Sequence, residues 1–390
     1  MSRQGAGRLA EQAEEARLRR VAIIAWRDLD DPEAGGSELH AHEIARRWAE
    51  GGIEVTLRTS SVAGEPERVA RQGYTAVRRS GRYQVFATAP ADVVRGRLGQ
   101  LDGVVEIWNG MPFFSPLWSL FGPRLPLLTF LHHVHAEMWQ MVLPPRLAAL
   151  GHAVEFHLAP PLYRRSRLVT LSESSRREIV AMLRLRPERV SVVPPGVDSS
   201  FSPGGERAGS PLVLAVGRLV PVKRFELLVE AVAALRSRGL PVECLIAGEG
   251  SERGKLEAVR HELGADSYVH LPGRLSSEEL LAAYRRAWVV ASTSAREGWG
   301  MTVSEAAACA TPAVVSRIAG HEDAVVGEET GLFFSGREEL VAALGSVLAD
   351  EDLRSRLGKG AYEKALTLTW DETASATLGL LAEEAARAGR

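Results

Sequence analysis

One stretch constrains the fold of this chain more than any other: a short apolar strand that leads through a glycine loop into an alanine-rich helix. The predicted strand, Trp288 to Ala291, is followed by a loop, Ser292 to Gly300, and a helix is predicted from about Met301. In such a unit the first N–H groups of the helix have no partners within the helix, and together with the helix dipole they favour an anion. Glycines at 298 and 300 allow a phosphate to approach the backbone closely.

Two glutamates bracket this loop. Glu297 precedes the glycines, and Glu305 lies about one turn into the helix. Carboxylates bind phosphate poorly but accept hydrogen bonds from hydroxyl groups, so that phosphate donors between two carboxylates indicate a sugar nucleotide. The alternative from residue types alone is a surface loop with solvated glutamates, because glycine-rich turns before helices are common.

The spacing Glu297-x7-Glu305, followed by Thr311-Pro312 and a second apolar strand, resembles the signature of retaining glycosyltransferases of the GT-B fold, family 4 (the group 1 type). Ala310 departs from the family pattern, which usually has glycine there. The resemblance extends from Val21 to about Ala376. It implies an α/β fold of two Rossmann-like, doubly wound domains that face an interdomain cleft.

Length and composition set further limits. A chain of 390 residues predicts two domains, and its 45% hydrophobic and 25% charged residues are typical of a soluble globular protein. The net charge of -2 argues against a nucleic-acid-binding protein. No apolar run reaches the roughly 18 residues of a membrane span, and the N-terminus lacks the apolar segment of a signal peptide. We expect a cytoplasmic protein, peripheral at most to the inner membrane face, with Cys244 and Cys309 as core residues.

The N-terminal part predicts a doubly wound sheet that begins with a right-handed βαβ unit. Its strands are predicted at Val21–Ala25 and Ile53–Leu57, with a helix from Leu39 to Glu50 between them. Five more strands are predicted, at Tyr83–Ala87, Val104–Ile107, Leu127–Leu131, Leu168–Leu171 and Val190–Val193.

A segment rich in Ser, Gly and Pro, from Pro194 to Pro211, predicts the linker between the domains. Strands of a second sheet are predicted at Pro211–Val216, Val242–Ala247, Tyr268–Leu271, Trp288–Ala291 and Ala313–Ser316. The predicted organisation is therefore a flexible arm over 1–20, an acceptor-side domain over 21–200 and a nucleotide-sugar-binding domain over 201–390. The resemblance implies that the last helix crosses back to the first domain.

Two basic residues follow the first strand of the second domain. Gly217-Arg218-Leu219 and Lys223 lie where a parallel strand ends, and an Arg fork with a Lys point charge suits a diphosphate. The alternative is a pair of exposed basic residues on a loop. The pattern is similar to the family's phosphate clamp, which would stabilise the negative charge of the departing nucleoside diphosphate.

Gly248-Glu249-Gly250 also follows a strand and imitates a dinucleotide fingerprint. The acidic residue that NAD binding requires at the end of the next strand is missing, so we exclude NAD. In the family this loop resembles a wall of the nucleotide site, with the base near Arg274 and Leu275.

Three histidines, His132, His133 and His135, follow a predicted buried strand. Their spacing fits no closed zinc site, and a structural role for any of them remains an alternative. The family carries a histidine beside the reacting sugar at the end of this strand, and His132 falls there, with His133 as the alternative. The family also has a Gly-Gly-x-Glu loop that faces the donor phosphates, which Gly35 and Gly36 match.

Two other features remain open. Asp28-x-Asp30 imitates a metal–diphosphate motif, but it lies in the first loop, and we interpret it as a polar turn and expect no obligatory metal. The apolar segment from Met111 to Trp118 is either core or an exposed patch for a partner, a membrane or an apolar acceptor, and we favour core. The basic cluster from Tyr163 to Leu168 is either a solvated helix end or a lipid headgroup site.

The sequence therefore predicts a retaining glycosyltransferase that moves a hexosyl group from a nucleotide-diphosphate sugar, UDP- or GDP-linked, to an acceptor hydroxyl. The acceptor is a saccharide, a lipid-linked or a small-molecule hydroxyl, and no nucleic acid is involved. Alternatives are a sugar-nucleotide epimerase or phosphorylase on the same fold, or a non-catalytic sugar-nucleotide-binding subunit. The expected catalytic residues are His132, Arg218, Lys223 and Glu297. The expected substrate-binding residues are Gly35, Gly36, His133, Gly217, Glu249, Arg274, Leu275, Gly298, Trp299, Gly300, Met301, Thr302 and Glu305.

Overall fold

The chain forms two compact units in a computed structural model that describes residues 3–122 and 124–389. Unit 1 comprises the chain up to Gly196 together with the C-terminal segment from Trp370, and unit 2 comprises Val197–Thr369. Val197 belongs to unit 2 because its N–H donates to the carbonyl of Leu368 at 3.0 Å. The boundary therefore lies four residues before the predicted one at 200.

Unit 1 is built on a sheet of eight strands, ordered β3-β4-β2-β1-β5-β6-β7-β8. The strands are β1 (Arg20–Ile24), β2 (Glu54–Thr59), β3 (Arg68–Arg71), β4 (Tyr74–Arg78), β5 (Gly103–Trp108), β6 (Leu127–Leu131), β7 (Arg167–Thr170) and β8 (Val190–Val192). All neighbours pair in parallel except β3, which is antiparallel to β4 at one edge. The central strands are apolar runs because helices cover both faces of the sheet.

The helices of unit 1 that precede the linker are α1 (Arg3–Glu15), α2 (Gly36–Glu50), α3 (Val85–Val94), α4 (Ser115–Trp118), α5 (Met138–Val142), α6 (Pro145–Ala153), α7 (Ala159–Tyr163) and α8 (Glu173–Leu183). A π-helical turn, Val154–Leu158, joins α6 to α7, and a 3₁₀ turn, Pro187–Arg189, precedes β8.

Unit 2 is a six-stranded, fully parallel sheet ordered β11-β10-β9-β12-β13-β14. Its strands are β9 (Leu212–Val216), β10 (Glu243–Ala247), β11 (Val269–Gly273), β12 (Val289–Ser292), β13 (Ala313–Ser316) and β14 (Gly331–Phe334). Its helices are α9 (Phe225–Ser237), α10 (Arg253–Glu262), α11 (Ser277–Arg286), α12 (Met301–Ala308), α13 (His321–Ala324), α14 (Arg337–Ala349) and α15 (Glu351–Ala365), with a 3₁₀ turn at Pro221–Lys223. This strand order is that of a doubly wound α/β sheet.

The final helix, α16 (Trp370–Arg387), packs in unit 1. It contacts α1, α2 and β6, and the indole N–H of Trp48 donates to the carbonyl of Ala374 at 2.9 Å. The predicted flexible arm over 1–20 is therefore wrong for the described residues. The helix α1 buries Leu9 and Ala13 and contacts α16, because its apolar side chains recur at helical spacing. Residues 1 and 2 lie outside the described part.

Three strands were missed and one predicted strand is a helix. The predicted strand Tyr83–Ala87 is wrong because α3 buries Val85, Ala89 and Val93, a spacing of four that matches a helix and not a strand. The strands β3, β4 and β14 escaped prediction since they lie near or at the edges of their sheets. The polar edge strand β3 exposes or half-exposes all its residues and lacks an apolar run.

The predicted α/β class with two parallel-sheet domains is confirmed. Both cysteines, Cys244 and Cys309, are buried free thiols, as predicted. None of the helices that the structure describes combines the length and the apolar character needed to cross a bilayer.

Candidate active site

In unit 2 the predicted donor-site loops meet where the strand order reverses. The strands β9 and β12 are direct neighbours, yet β10 follows β9 in the chain on the opposite side. Helices that follow such a pair lie on opposite faces of the sheet, which leaves a crevice outside the carboxyl ends of the two strands. The loop after β9 carries Gly217, Arg218 and Lys223, and the loop after β12 carries Glu297 to Gly300.

The side chains of Lys223 and Glu297 are in contact at this point. The Lys223 ammonium donates to Glu297 Oε1, and Ser294 Oγ donates to the same oxygen at 2.8 Å. A Cβ added to Gly217 would lie 3.6 Å from Lys223 Nζ, so the glycine leaves the ammonium room against the backbone. Burial raises the pKa of Glu297, but the Lys223 charge outweighs it, with further help from His321, and the pKa falls to about 2.

The loop before α12 is supported from β13. Gly300 caps α12 with φ of +102°, a conformation that glycine adopts without strain. Gly320 has φ of +85°, and a Cβ there would come within 2.6 Å of the Glu297 carbonyl oxygen. The two loops therefore pack backbone to backbone.

His321 completes this support and was not predicted from the sequence. Its Nδ1 lies 2.9 Å from the Ser316 carbonyl oxygen, and its Nε2 lies 3.2 Å from Ser292 Oγ. Burial lowers the pKa of His321, so the ring is neutral at pH 7. The signal available in the sequence was Gly320-His321 soon after β13, on the strand next to β12.

Glu305 is held by a tyrosine that the sequence analysis also missed. The buried Tyr284 hydroxyl donates to Glu305 Oε2 at 2.7 Å. Burial raises the pKa of Glu305, the Tyr284 hydrogen bond opposes this, and the Asp198 charge adds to it. Burial also raises the pKa of Tyr284 well above its ordinary value, so the hydroxyl stays a donor. Tyr284 lies on α11 within an apolar pattern, which from the sequence indicates only core.

Trp299 is buried, and its indole N–H donates to Ser304 Oγ at 2.8 Å. This contact fixes the first turn of α12, in which Met301 and Thr302 are half-buried. The Trp299 side chain therefore braces the loop, and a part in substrate binding falls to its backbone.

The loop from Gly248 to Gly250 packs directly on the turn that carries Arg218. Glu249 accepts from the Leu219 N–H at 2.9 Å through its carbonyl, and a Cβ on Gly248 would come within 1.9 Å of the Gly217 carbonyl oxygen. The glycines are thus required by close packing between loops. The Glu249 carboxylate pairs with Arg253 at 2.7 Å.

This packing also brings in the loop after β11. A Cβ on Gly273 would lie 2.7 Å from Glu249 Oε1, so the carboxylate lies over the residue before Arg274. Arg274 is exposed, and Leu275 packs partly into a core cluster that includes Tyr284. The four loops of unit 2 that carry predicted site residues therefore end at one edge of the sheet.

In unit 1 the glycine loop lies at the corresponding reversal, between β1 and β5. Gly35 caps α2, and its N–H donates to Glu38 Oε2 at 2.8 Å. That N–H is engaged by the protein, which corrects the expectation that Gly35 offers it to a phosphate. Asn109, which follows β5, donates to Ser37 Oγ at 2.9 Å and ties the two loops together.

His132 lies at the end of β6 and is buried. Its Nε2 lies 3.4 Å from Nδ1 of His40, a buried residue of α2 that the sequence analysis missed. Burial, with His133 nearby, lowers the pKa of His132 to about 4, so the ring is neutral at pH 7. Within the described part of the chain its Nδ1 has no hydrogen-bond partner. A buried unpaired nitrogen costs about 1 to 3 kcal/mol, which a ligand hydroxyl would recover.

His133 is half-buried and stacks on His135, with ring centroids 4.9 Å apart. The two rings lie away from closed metal geometry: among described residues no group of three or more His, Cys, Asp or Glu side chains could hold a metal ion. Asp28 and Asp30 instead form ion pairs with Arg71 and Arg78 at the ends of β3 and β4.

Comparisons with known proteins agree with this geometry. Residues 197–364 match the family model described as glycosyl transferases group 1, and residues 34–201 match glycosyltransferase family 4. The chain is 30% identical over 407 residues to a D-inositol 3-phosphate glycosyltransferase of Acidothermus cellulolyticus, which covers 93% of this chain and 90% of the relative.

The chain belongs to the group 1 glycosyltransferases of family 4.

Solved structures establish the fold of this glycosyltransferase as GT-B. It is similar to sucrose-phosphate synthase from Thermosynechococcus elongatus, with a TM-score of 0.77 and 20% identity over 92% of this chain and 97% of that one. It is also similar to Anabaena Alr3699/HepE, determined with UDP and glucose, with a TM-score of 0.72 and 18% identity over 93% and 97% of the two chains. The predicted family, fold and enzyme class are confirmed.

Proposed function

We propose that this glycosyltransferase transfers a hexosyl group from a nucleotide-diphosphate sugar to an acceptor hydroxyl, with retention of anomeric configuration. The observation that carries the proposal is the meeting of Lys223 and Glu297 at the strand reversal of unit 2, beside the N-terminus of α12. A cation, a carboxylate and helix N–H groups at one point suit a ligand with both phosphates and hydroxyls.

The diphosphate would lie on Arg218, Lys223 and the N–H groups from Gly300 to Thr302. An ammonium has three donors, so Lys223 can hold Glu297 and a phosphate oxygen together. As the glycosyl–phosphate bond breaks, negative charge grows on the departing diphosphate, and fixed cations there lower the barrier. Glu297, ionised because its pKa is about 2, would accept from hydroxyls of the donor sugar. Glu305 would accept from the ribose, with its orientation set by Tyr284.

The acceptor would bind on unit 1 near His132, whose unpaired Nδ1 can contact a sugar hydroxyl. A neutral imidazole can both donate and accept, which suits a hydroxyl at the reacting centre. The relative named above acts on an inositol phosphate, which supports a polar, small-molecule hydroxyl as one acceptor class. A lipid-linked or saccharide acceptor is the other.

Retention would follow from attack on the same face that the diphosphate leaves, with the leaving phosphate accepting the acceptor proton. Glu297 is tied to Lys223 and Ser294, which suits a carboxylate that orients hydroxyls more than one that attacks carbon. Proton NMR of the first product should show the anomeric configuration of the donor. Inverted product, or a glycosyl–enzyme adduct in the mass spectrum, contradicts this mechanism.

Donor binding can be tested without an acceptor. A nucleoside diphosphate at 100 times its dissociation constant should raise the free energy of unfolding by about 2.7 kcal/mol. We expect this for one base, unchanged by EDTA since no obligatory metal is proposed, and lost in Arg218→Ala. The matched control is Arg337→Ala, whose guanidinium is exposed on unit 2 and should leave binding unchanged. Absence of stabilisation by any nucleotide, in folded protein, contradicts the donor site.

A further inference from the structure

A continuous helical segment on unit 1 exposes leucines where polar residues are usual. The helices α6 and α7 and the π turn between them form one rod, because Ala153, Leu158 and Ala159 at the junctions all have right-handed helical dihedral angles. This 145–163 helix is about 28 Å long at about 1.5 Å per residue.

One face of the 145–163 helix is anchored in the unit. A Cβ added to Gly151 would fall 2.6 Å from the Trp139 ring, and the Trp139 indole donates to the buried Glu155 carboxylate at 2.9 Å. At the other end the Tyr163 hydroxyl donates to Glu106 Oε1 at 2.6 Å. The π turn lets Val154 and Glu155 both point inward, so the helix cannot rotate its outer face away from solvent without breaking these contacts.

The opposite face is apolar and open. Leu147, Leu150 and Leu158 are 53%, 58% and 54% exposed. The segment after α4, a helix that contacts α7, adds Leu120 and Phe121, which are 74% and 80% exposed. Monomeric proteins rarely leave so many large apolar side chains together in water unless the surface binds something.

Cations flank this face and carboxylates avoid it. Arg146 precedes Leu147, and Arg164 and Arg165 follow the helix; all three are exposed. Between residues 110 and 172 the sequence contains only two carboxylates, Glu137 and Glu155, and Glu155 is buried. The outer face therefore presents leucines between arginines.

This charge pattern selects the occupant. In a symmetric contact with a second copy the same patch would face itself, so that arginines would meet arginines. An anionic bilayer offers phosphates at headgroup level and acyl chains just beneath, which matches cations that flank an apolar face. We propose that the outer face of the 145–163 helix binds the surface of an anionic membrane, with the leucines among the acyl chains and the arginines on lipid phosphates. This inference goes beyond the proposed transfer reaction and does not depend on it.

Sedimentation with lipid vesicles tests the proposal, since it measures binding and not activity. We expect the protein to bind phosphatidylcholine vesicles that contain phosphatidylglycerol, and to bind pure phosphatidylcholine much more weakly. Each arginine near an anionic surface strengthens binding about fivefold, so Arg164→Gln with Arg165→Gln should weaken it about 25-fold. Leu150→Ser with Leu158→Ser should weaken it about tenfold or more. Added salt should weaken wild-type binding.

The matched control replaces two exposed leucines of unit 2, Leu263 and Leu366, with serine; these side chains are 43% and 60% exposed. This variant should bind vesicles like the wild type, and circular dichroism should show all variants folded. Equal binding to neutral and anionic vesicles, no binding at all, or leucine and arginine variants that bind like the wild type each overturn the proposal. A concentration-dependent dimer that the leucine variant abolishes overturns it as well, in favour of a second copy on this face.

Discussion

Replacing Lys223 with methionine removes the cation that keeps Glu297 ionised. The two side chains form an ion pair, and each is only 19% exposed, so water replaces the lost partner poorly. Methionine keeps most of the length and volume of lysine without its charge. The variant therefore isolates the electrostatic part of the contact.

The size of the effect follows from the pKa of Glu297, which is about 2 in the folded protein. The difference from an ordinary glutamate corresponds to about 3 kcal/mol, at about 1.4 kcal/mol for each pH unit. Solvent screening at a partly exposed pair reduces this, and we expect a coupling energy of about 2 kcal/mol at pH 7. The matched surface pair, Lys255 with Glu252 at 3.1 Å, should couple by less than about 0.5 kcal/mol because Lys255 is half exposed.

Urea unfolding of the wild type, Lys223→Met, Glu297→Gln and the double variant gives the coupling energy directly. The pKa of Glu297 is lowered by folding, so its contribution is complete above the ordinary glutamate pKa and is lost as the pH falls towards about 2. The stability gap between wild type and Lys223→Met should therefore narrow between about pH 4 and pH 3. A coupling energy near zero at pH 7, or a gap that does not change with pH, refutes the reasoning.

Three further variants test other parts of the site. Gly320→Ala should cost at least about 2 kcal/mol more in urea unfolding than Gly239→Ala, because both glycines have φ near +85° but only the first has backbone within 2.6 Å of the new Cβ; equal costs would remove the clash argument. Burial lowers the pKa of His132 to about 4, so its protonation should destabilise the fold as the pH falls from about 6.5 to 4, and His132→Gln should flatten that part of the stability curve; NMR titration of the ring near 6.5 would contradict this. Tyr284→Phe leaves the Glu305 carboxylate without its 2.7 Å donor and should weaken nucleoside diphosphate binding about tenfold by calorimetry, and unchanged affinity would exclude Tyr284 as a positioning residue.

The sequence identified most of the donor site because that site is built from local units. A strand, a glycine loop and a helix N-terminus follow one another within about 15 residues, and the periodicity of apolar residues reveals them. Glu297, Lys223 and Arg218 could be placed at strand ends in this way. Parallel strands end at one edge of a sheet, so their loops could be expected to meet.

The sequence could not predict which side chains support those loops. His321, Tyr284 and His40 each lie on an element that looks structural by itself, and each acts on a residue far away in the chain. The same holds for α1, whose few leucines become a reason for order only because α16 returns to cover them.

What the sequence alone determined was the α/β class, the family and the loops that carry charge, because these depend on patterns within a few turns of chain. What only the tertiary structure decided was the ion pair of Lys223 with Glu297, the engagement of the Gly35 N–H and the outward face of the 145–163 helix. Each of these depends on which elements pack together. Packing is a property of distant contacts that local periodicity does not encode.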